Sequence, residues 1–319
     1  MTHRVRWRAA LLACAATALL TTAPAWAAEP TLSFTTLGTN SGPIPNPYRS
    51  EPANLVRYGD QIILADVGDG AAEQLAKAGV RLGLVRAVVI SHLHFDHTGG
   101  LFALLSLRYQ AKDGGVLTIY GPAGTKQTVE GLVAAMESGS FVSSTIRGAG
   151  GKTGDMVKVV EIADGSVFDL GPVKVTVSSN SHFVNLPAAA EGLSLSLRFD
   201  APGRSIVYTG DTGPSPKVEA LCKGADLLVS EIMDPDLALA KIHAARPEIP
   251  EADLKFVGEH FSREHLSPNE VGLMAQRCGA KALVLTHNAL VDSELEDAKR
   301  TIAGRYAGPI TFAKDLDKF

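Results

Sequence analysis

The chain has 319 residues, 45% of them hydrophobic and 20% charged, with a formal net charge of −4. This balance excludes a disordered or fibrous chain and suits one large domain or two fused halves. The acidic excess, with no basic run or basic–aromatic stripe, also argues against a nucleic-acid partner, because gripping a polyanion takes basic surface to release counterions.

The chain opens with Arg4, Arg6 and Arg8 and no acid, followed by an apolar run over 9–22 and then Ala25-Trp26-Ala27. Small residues at Ala25 and Ala27 stand where a signal peptidase reads, so residues 1–27 are expected to be a secretory signal peptide. Residues 28–319 would be the mature domain, periplasmic or secreted. The apolar run is too short and too rich in Ala and Thr to span a membrane, and it continues past Cys14, unlike a lipoprotein cleavage site. Removing the leader removes arginines only, which makes the mature chain more acidic.

Beyond the leader, apolar periodicity and turn residues predict a hairpin from 54–57 and 61–65 around Tyr58-Gly59-Asp60, then a helix over 71–78 closed by Gly79. A strand over 86–90, a helix over 101–107, a strand over 116–120 and a helix over 125–137 follow. Residues 148–156 read as a flexible loop; Gly151-Lys152-Thr153 mimics the end of a phosphate loop, but Ile146 stands where its opening glycine belongs. The second half repeats the order, with strands near Val157, Val173, Leu193 and Ile206 and helix–strand units ending at Glu231, Thr286 and Thr311. Strands first and helices after, twice over, predict two sheets face to face with helices outside. Residues 233–262, with Pro235, Pro247 and Pro250, are expected to form a lid, with His243 and His260 facing solvent and Phe141 lining the opposite side. Cys222 and Cys278 each sit near the end of a predicted helix. Helices of neighbouring units usually lie too far apart for a bridge, so the two thiols are expected to be unpaired.

The chemistry concentrates at His92, His94, Asp96 and His97, just past the apolar run 87–90. Imidazoles and carboxylates are the ligands of a metal that keeps a coordination position open, and no cysteine is nearby to make a structural zinc site. In an extended segment His92 and His94 point the same way, while a turn frees Asp96 and His97 to face a second metal about 3.5–4 Å from the first. His182, Asp211 and His287 likewise follow strand-like runs, where loops on a rigid scaffold carry function.

These motifs resemble the metallo-β-lactamase superfamily: H-x-H-x-D-H at His92 to His97, the lone His182, Tyr208-Thr209-Gly210-Asp211-Thr212, Leu285-Thr286-His287-Asn288, and Asp66 at an earlier strand end. The resemblance implies an α/β fold, the four-layer αββα sandwich. It also implies two zinc ions, with manganese or iron as alternatives: His92, His94 and His182 on one, Asp96, His97 and His287 on the other, and Asp211 bridging. Asp66 would orient ligands. Asp226-Leu227-Leu228-Val229-Ser230-Glu231 and His265-Leu266-Ser267-Pro268-Asn269-Glu270 resemble the ribonuclease Z-like branch, which includes tRNA nucleases, phosphodiesterases and arylsulfatases. That resemblance implies His265, oriented by Glu231, at the leaving group, and Asp96 assisting a metal-bound hydroxide. In sequence terms alone, Ser267 and Pro268 also read as the start of a helix. Tyr48 and Arg49 are expected to contact substrate, the guanidinium suiting a sulfate or phosphate oxygen.

The reading that follows is an exported binuclear-metal hydrolase of a phosphodiester or sulfate ester. Its expected partner is a small-molecule ester, with no nucleic acid and no membrane span; a homodimer is left open. The alternatives are a lactonase or β-lactam-opening hydrolase and, more remotely, a non-catalytic metal-binding protein.

Overall fold

The computed structural model describes residues 30–140, 152–187, 190 and 192–319. The signal-peptide reading, Phe141 and the glycines at 148–151 fall outside them. Two sheets carry the fold. The first runs β1 (Ser33–Gly38), β2 (Ala53–Tyr58), β3 (Gln61–Val67), β4 (Ala87–Val89), β5 (Leu117–Gly121) and β6 (Val157–Glu161) in spatial order, antiparallel from β1 to β3 and parallel from β3 to β6. The second contains β7 (Val167–Leu170), β8 (Val173–Ser179), β9 (Leu195–Ala201), β10 (Arg204–Tyr208), β11 (Leu227–Ile232), β12 (Leu283–Asn288) and β13 (Ile310–Phe312). It is antiparallel from β7 to β10 and parallel from β10 to β13.

Helices α1 (Ala71–Lys77), α2 (Phe95–Thr98), α3 (Leu101–Ala111) and α4 (Thr125–Ser140) follow strands of the first sheet. Helices α5 (Pro216–Leu221), α6 (Pro235–Ala245), α7 (Glu251–Glu264), α8 (Pro268–Cys278) and α9 (Leu295–Ala303) follow strands of the second. Side-chain alternation explains why the central strands are apolar almost throughout. In β3, Ile63 and Ala65 face the core between the sheets, with Phe34, Val175, Phe199 and Tyr208, while Ile62 and Leu64 face the α1–α3 side, with Leu75, Val88 and Leu104. A third core joins the outer face of the second sheet to α5, α8 and α9 through Val207, Leu228, Leu285, Val271 and Ile302. Three cores between four layers make an αββα sandwich, as expected.

Three readings change. Strands β1 and β7 were not evident from sequence, because their runs are short and mix polar with apolar residues. β6, expected to open the second half, instead pairs in parallel with β5, Leu117 opposite Val157. Residues 153–156, expected to be flexible loop, form a 3₁₀ turn.

Cys222 and Cys278, expected apart, form a disulfide with Cα atoms 5.5 Å apart. The cause is local: α5 and α8 pack on the same outer face of the second sheet, bringing their C-terminal ends together, and both cysteines are buried. The bridge closes a separation of 56 residues, for which loop-closure entropy predicts about 4 kcal/mol. A Cys222→Ser/Cys278→Ser double variant is therefore expected to lose about 2–4 kcal/mol of unfolding free energy, read as a lower denaturant midpoint. An unchanged midpoint would show that the bridge contributes nothing.

The C-terminal segment braces the N-terminal loop. Asp315 accepts hydrogen bonds from Thr39 N (3.0 Å), Thr39 Oγ1 (2.7 Å), Ser50 N (2.8 Å) and Gln74 Nε2 (2.7 Å). Phe319 exchanges backbone hydrogen bonds with Phe34. Thr39 O in turn accepts from Asn288 N (3.0 Å), which ties the loop to the end of β12.

Candidate active site

The candidate metal ligands stand at or just past strand ends. β4 leads into Ser91 and His92; α2 then opens at Phe95, with His94 before it and Asp96 and His97 on it. His182 follows β8, Asp211 follows β10, and His287 lies near the end of β12. Asp66 (φ 62°) and His287 (φ 43°) occupy the left-handed region. Strain of this kind in non-glycine residues persists where the surrounding structure fixes it, and it collects at functional sites. The turn also requires glycine: a Cβ at Gly42 would lie 2.3 Å from the Asp96 side chain, and one at Gly68 2.2 Å from the Asp96 carbonyl.

Donor atoms of His92, His94 and His182 lie within 4.8 Å of one another, and so do those of Asp96, His97, Asp211 and His287. Asp211 sits between the groups. Its Oδ2 is 4.0 Å from His92 Nε2, 3.9 Å from His182 Nε2 and 3.2 Å from His287 Nε2, while its Oδ1 is 3.3 Å from His97 Nε2. The same seven side chains were expected from sequence; Asp211 also falls in a third group, with His182 and His265.

Whether these residues fit a metal pair is tested by their hydrogen bonds. His92 Nε2, His97 Nε2 and Asp211 Oδ1 are buried without a hydrogen-bond partner, and buried polar atoms are otherwise nearly always paired. The opposite ring nitrogens are held. His97 Nδ1 meets Asp66 Oδ2 at 2.8 Å, His182 Nδ1 donates to the Glu264 carbonyl at 3.0 Å, and His92 Nδ1 lies 3.0 Å from Ser91 Oγ. Fixing one nitrogen in this way sets the tautomer and aims the other as a ligand. Asp66 is itself fully buried and held by Ser91 N (2.7 Å), Ser91 Oγ (2.8 Å) and Tyr208 OH (2.8 Å). Its contact with His97 is the placement that the resemblance implied for it. The donor set therefore fits a binuclear metal site.

The electrostatics divide the imidazoles. Burial disfavours charge on His97 and His287, but Asp211 and neighbouring carboxylates outweigh it and raise both, favouring charged rings where no cation takes their place. Burial pulls His92 and His94 below the ordinary imidazole range and lowers His182 to about 3, so all three keep lone pairs free. Burial disfavours the Asp211 charge, but His287 and His97 outweigh it and hold the carboxyl well below its usual range. Asp96 is also held low, burial being outweighed by His287 and His97.

His265 and Glu231 form a second unit. His265 Nδ1 is 2.7 Å from Glu231 Oε2, and Glu231 Oε1 accepts from Thr212 N at 2.6 Å. Met233 N donates to the Leu266 carbonyl at 3.0 Å, fastening the His265 segment to the end of β11. Ser267 caps α8 in a capping box with Glu270, and Pro268 opens the helix, so the helix-start reading and the dyad hold together. Burial alone would lower His265, but the Glu231 carboxylate raises its pKa to about 9.

His94, Asp96, His182, Asp211, His265 and His287 line one pocket with Ser41, Gly42, Pro43, Leu93, Phe95, Met233, His260 and Phe261. Met233, His260 and Phe261 come from the segment expected to be a lid, and its two helices, α6 and α7, contribute one buried residue between them, Glu264. His243 is exposed as expected. His260 is not simply solvent-facing: its ring lines the pocket, because the i,i+4 spacing pairs it with Glu264. Tyr48 and Arg49 are not brought into this pocket. The Tyr48 side chain is 90% exposed and the Arg49 guanidinium donates to the Asn288 carbonyl at 2.8 Å, so both line neighbouring grooves. Sequence reading also missed Glu51, which is buried, accepts from Asn40 Nδ2 at 3.0 Å and leaves Oε2 unpartnered. No spacing signal marked it.

A family model described as the beta-lactamase superfamily domain matches residues 62–288. The chain belongs to the metallo-β-lactamase superfamily. Within this superfamily, ribonuclease Z of Mycobacterium marinum is 30% identical over 293 residues, covering 90% of this chain and 98% of that protein. Among solved structures, the metallo-β-lactamase fold protein YhfI from Bacillus subtilis superposes with a TM-score of 0.64 at 21% identity, covering 91% of this chain and 99% of its own. The short form of human tRNase Z gives 0.62 at 23% identity, covering 90% and 98%. The chain is a ribonuclease Z-like, metal-dependent hydrolase.

These relatives overturn one expectation. A small-molecule ester substrate with nucleic acid excluded does not stand beside relatives that are a ribonuclease and a tRNase. The error was to read substrate from export and from net charge. An average of −4 over 319 residues says little about the field at one site, where bound cations are the largest local charges.

Proposed function

We propose that this chain is an exported two-zinc phosphodiesterase that cleaves RNA. The observation that carries the chemistry is the His265–Glu231 dyad, whose histidine lines the pocket beside five of the candidate ligands; the ribonuclease Z relatives, matched over 90% of the chain, support the substrate class. His92, His94 and His182 would hold one metal, Asp96, His97 and His287 the other, and Asp211 both. The all-imidazole and carboxylate donor set suits zinc. Export is supported by the leader at 1–27 and by the Cys222–Cys278 disulfide, a bond that persists in oxidising compartments.

Two divalent cations, when bound, supply Lewis acidity to the phosphoryl oxygens and make water a stronger nucleophile. The chain supplies the rest. Asp96, kept as a carboxylate, accepts the proton of the attacking water as its oxygen bonds to phosphorus. As the ester P–O bond breaks, His265 passes its Nε2 proton to the departing oxygen, and Glu231 at Nδ1 stabilises the ring in its protonated form and holds its orientation. Asp66 and the Glu264 carbonyl keep His97 and His182 aimed throughout.

The test compares a 3′-extended RNA, bis(4-nitrophenyl) phosphate and 4-nitrophenyl sulfate on zinc-loaded protein, with Asp211→Ala as the blank. Metal-dependent turnover of both phosphodiesters is expected. Turnover of the sulfate alone would replace this reading with an arylsulfatase, and turnover of none would move it to lactone or lactam opening.

A further inference from the structure

A second histidine–glutamate pair shares the pocket wall with the first. His260 Nδ1 lies 2.8 Å from Glu264 Oε2 on α7; the histidine side chain is 36% exposed and the glutamate side chain 2%. Glu264 is fixed from two further sides, since its Oε1 accepts from Asn185 N at 3.1 Å and its carbonyl accepts from His182 Nδ1 at 3.0 Å. The His260 ring stands 5.6 Å from that of His265 at 87° and 6.3 Å from that of His182. A solvated helix face does not need a buried carboxylate to orient a half-exposed imidazole. With Nδ1 committed to Glu264, Nε2 is the ring nitrogen left for a partner in the pocket.

Resting on the phosphodiesterase reading, we propose that the departing oxygen is a ribose 3′-oxygen and that His260 Nε2 hydrogen-bonds the 2′-hydroxyl of the same nucleotide. His265 serves the departing oxygen, and with the two rings 5.6 Å apart the neighbouring imidazole can reach a hydroxyl on the adjacent carbon. His260 is thereby the residue that distinguishes ribose from deoxyribose at this position.

The experiment uses zinc-loaded full-length protein and a pair of 3′-extended RNAs that differ only in a single 2′-deoxy substitution at the nucleotide 5′ to the cleaved bond. Because the 2′-hydroxyl also alters the leaving group itself, the quantity read is the change in ribose preference between proteins. Wild type is expected to prefer ribose by roughly tenfold in kcat/KM, the worth of one hydrogen bond to a partly exposed group. His260→Ala should bring the preference to near one with metal content per chain unchanged, and His260→Gln, whose carbonyl reaches the same place, should restore part of it. The proposal is overturned if wild type shows no preference, if His260→Ala keeps it, or if His260→Ala slows both RNAs in parallel. RNA left intact while bis(4-nitrophenyl) phosphate is cleaved would refute the RNA reading and this proposal with it, a pattern distinct from cleaved RNA with an unmoved preference.

Discussion

Asp211→Ala is expected to leave the protein with at most one metal ion per chain and to lower phosphodiesterase kcat/KM by about 10³-fold or more. The size follows from removing several kcal/mol of Lewis-acid stabilisation, at roughly 1.4 kcal/mol per factor of ten. The direction follows from position. Among the described residues, Asp211 is the one carboxylate within 4.0 Å of imidazole nitrogens from both ligand groups, so its loss weakens both metals together. It also leaves His97 and His287 without the carboxylate that favours their charged forms. Metal content by plasma emission and the melting temperature with and without chelator are the measurements. Wild type should melt lower when stripped, and Asp211→Ala should show little further drop, because metal that is not held cannot stabilise the fold by mass action. Full occupancy in the variant would refute the bridging role.

The second large effect belongs to His265. His265→Ala is expected to retain metal and to slow phosphodiesters with alkyl leaving groups by about 10²–10⁴-fold, the range for a positioned general acid. For 4-nitrophenolate, which departs without a proton, the loss should be no more than about tenfold. The pH profile carries the same information. Because Glu231 outweighs burial and raises the pKa to about 9, the acid form persists through neutral pH and is lost as pH rises through that value. Wild-type rates on poor leaving groups should therefore fall at high pH, and Glu231→Gln should move that fall to lower pH. Equal slowing of good and poor leaving groups in His265→Ala would mean the imidazole does something other than protonate the leaving oxygen.

The candidate ligands were legible because imidazoles and carboxylates at the ends of β-branched runs have no packing role to fill, and because strand ends of two facing sheets meet at one edge. Asp66 was legible for the same reason, although its left-handed backbone was not. What sequence could not carry was packing between elements distant along the chain. Nothing local says that β6 crosses back to the first sheet, or that α5 and α8 lie close enough to join Cys222 to Cys278. Tyr48 and Arg49 were expected to contact substrate, but the loop is tied to Asp315 and Asn288 and turns them into adjoining grooves. His260 was hidden for the opposite reason: an i,i+4 histidine–glutamate pair looks like any solvated helix face until the carboxylate is seen to be buried.

The order in which the ligands occur along the chain has a consequence for biogenesis. His92, His94, His182 and Asp211 are all available by residue 211, but His287 arrives late, and the Asp315 clamp on the Thr39–Ser50 loop arrives later still. A growing polypeptide can therefore present one metal-binding half-site well before the other. The second ligand group is completed and the N-terminal loop clamped only when nearly the whole chain has been made, so the pocket is finished last.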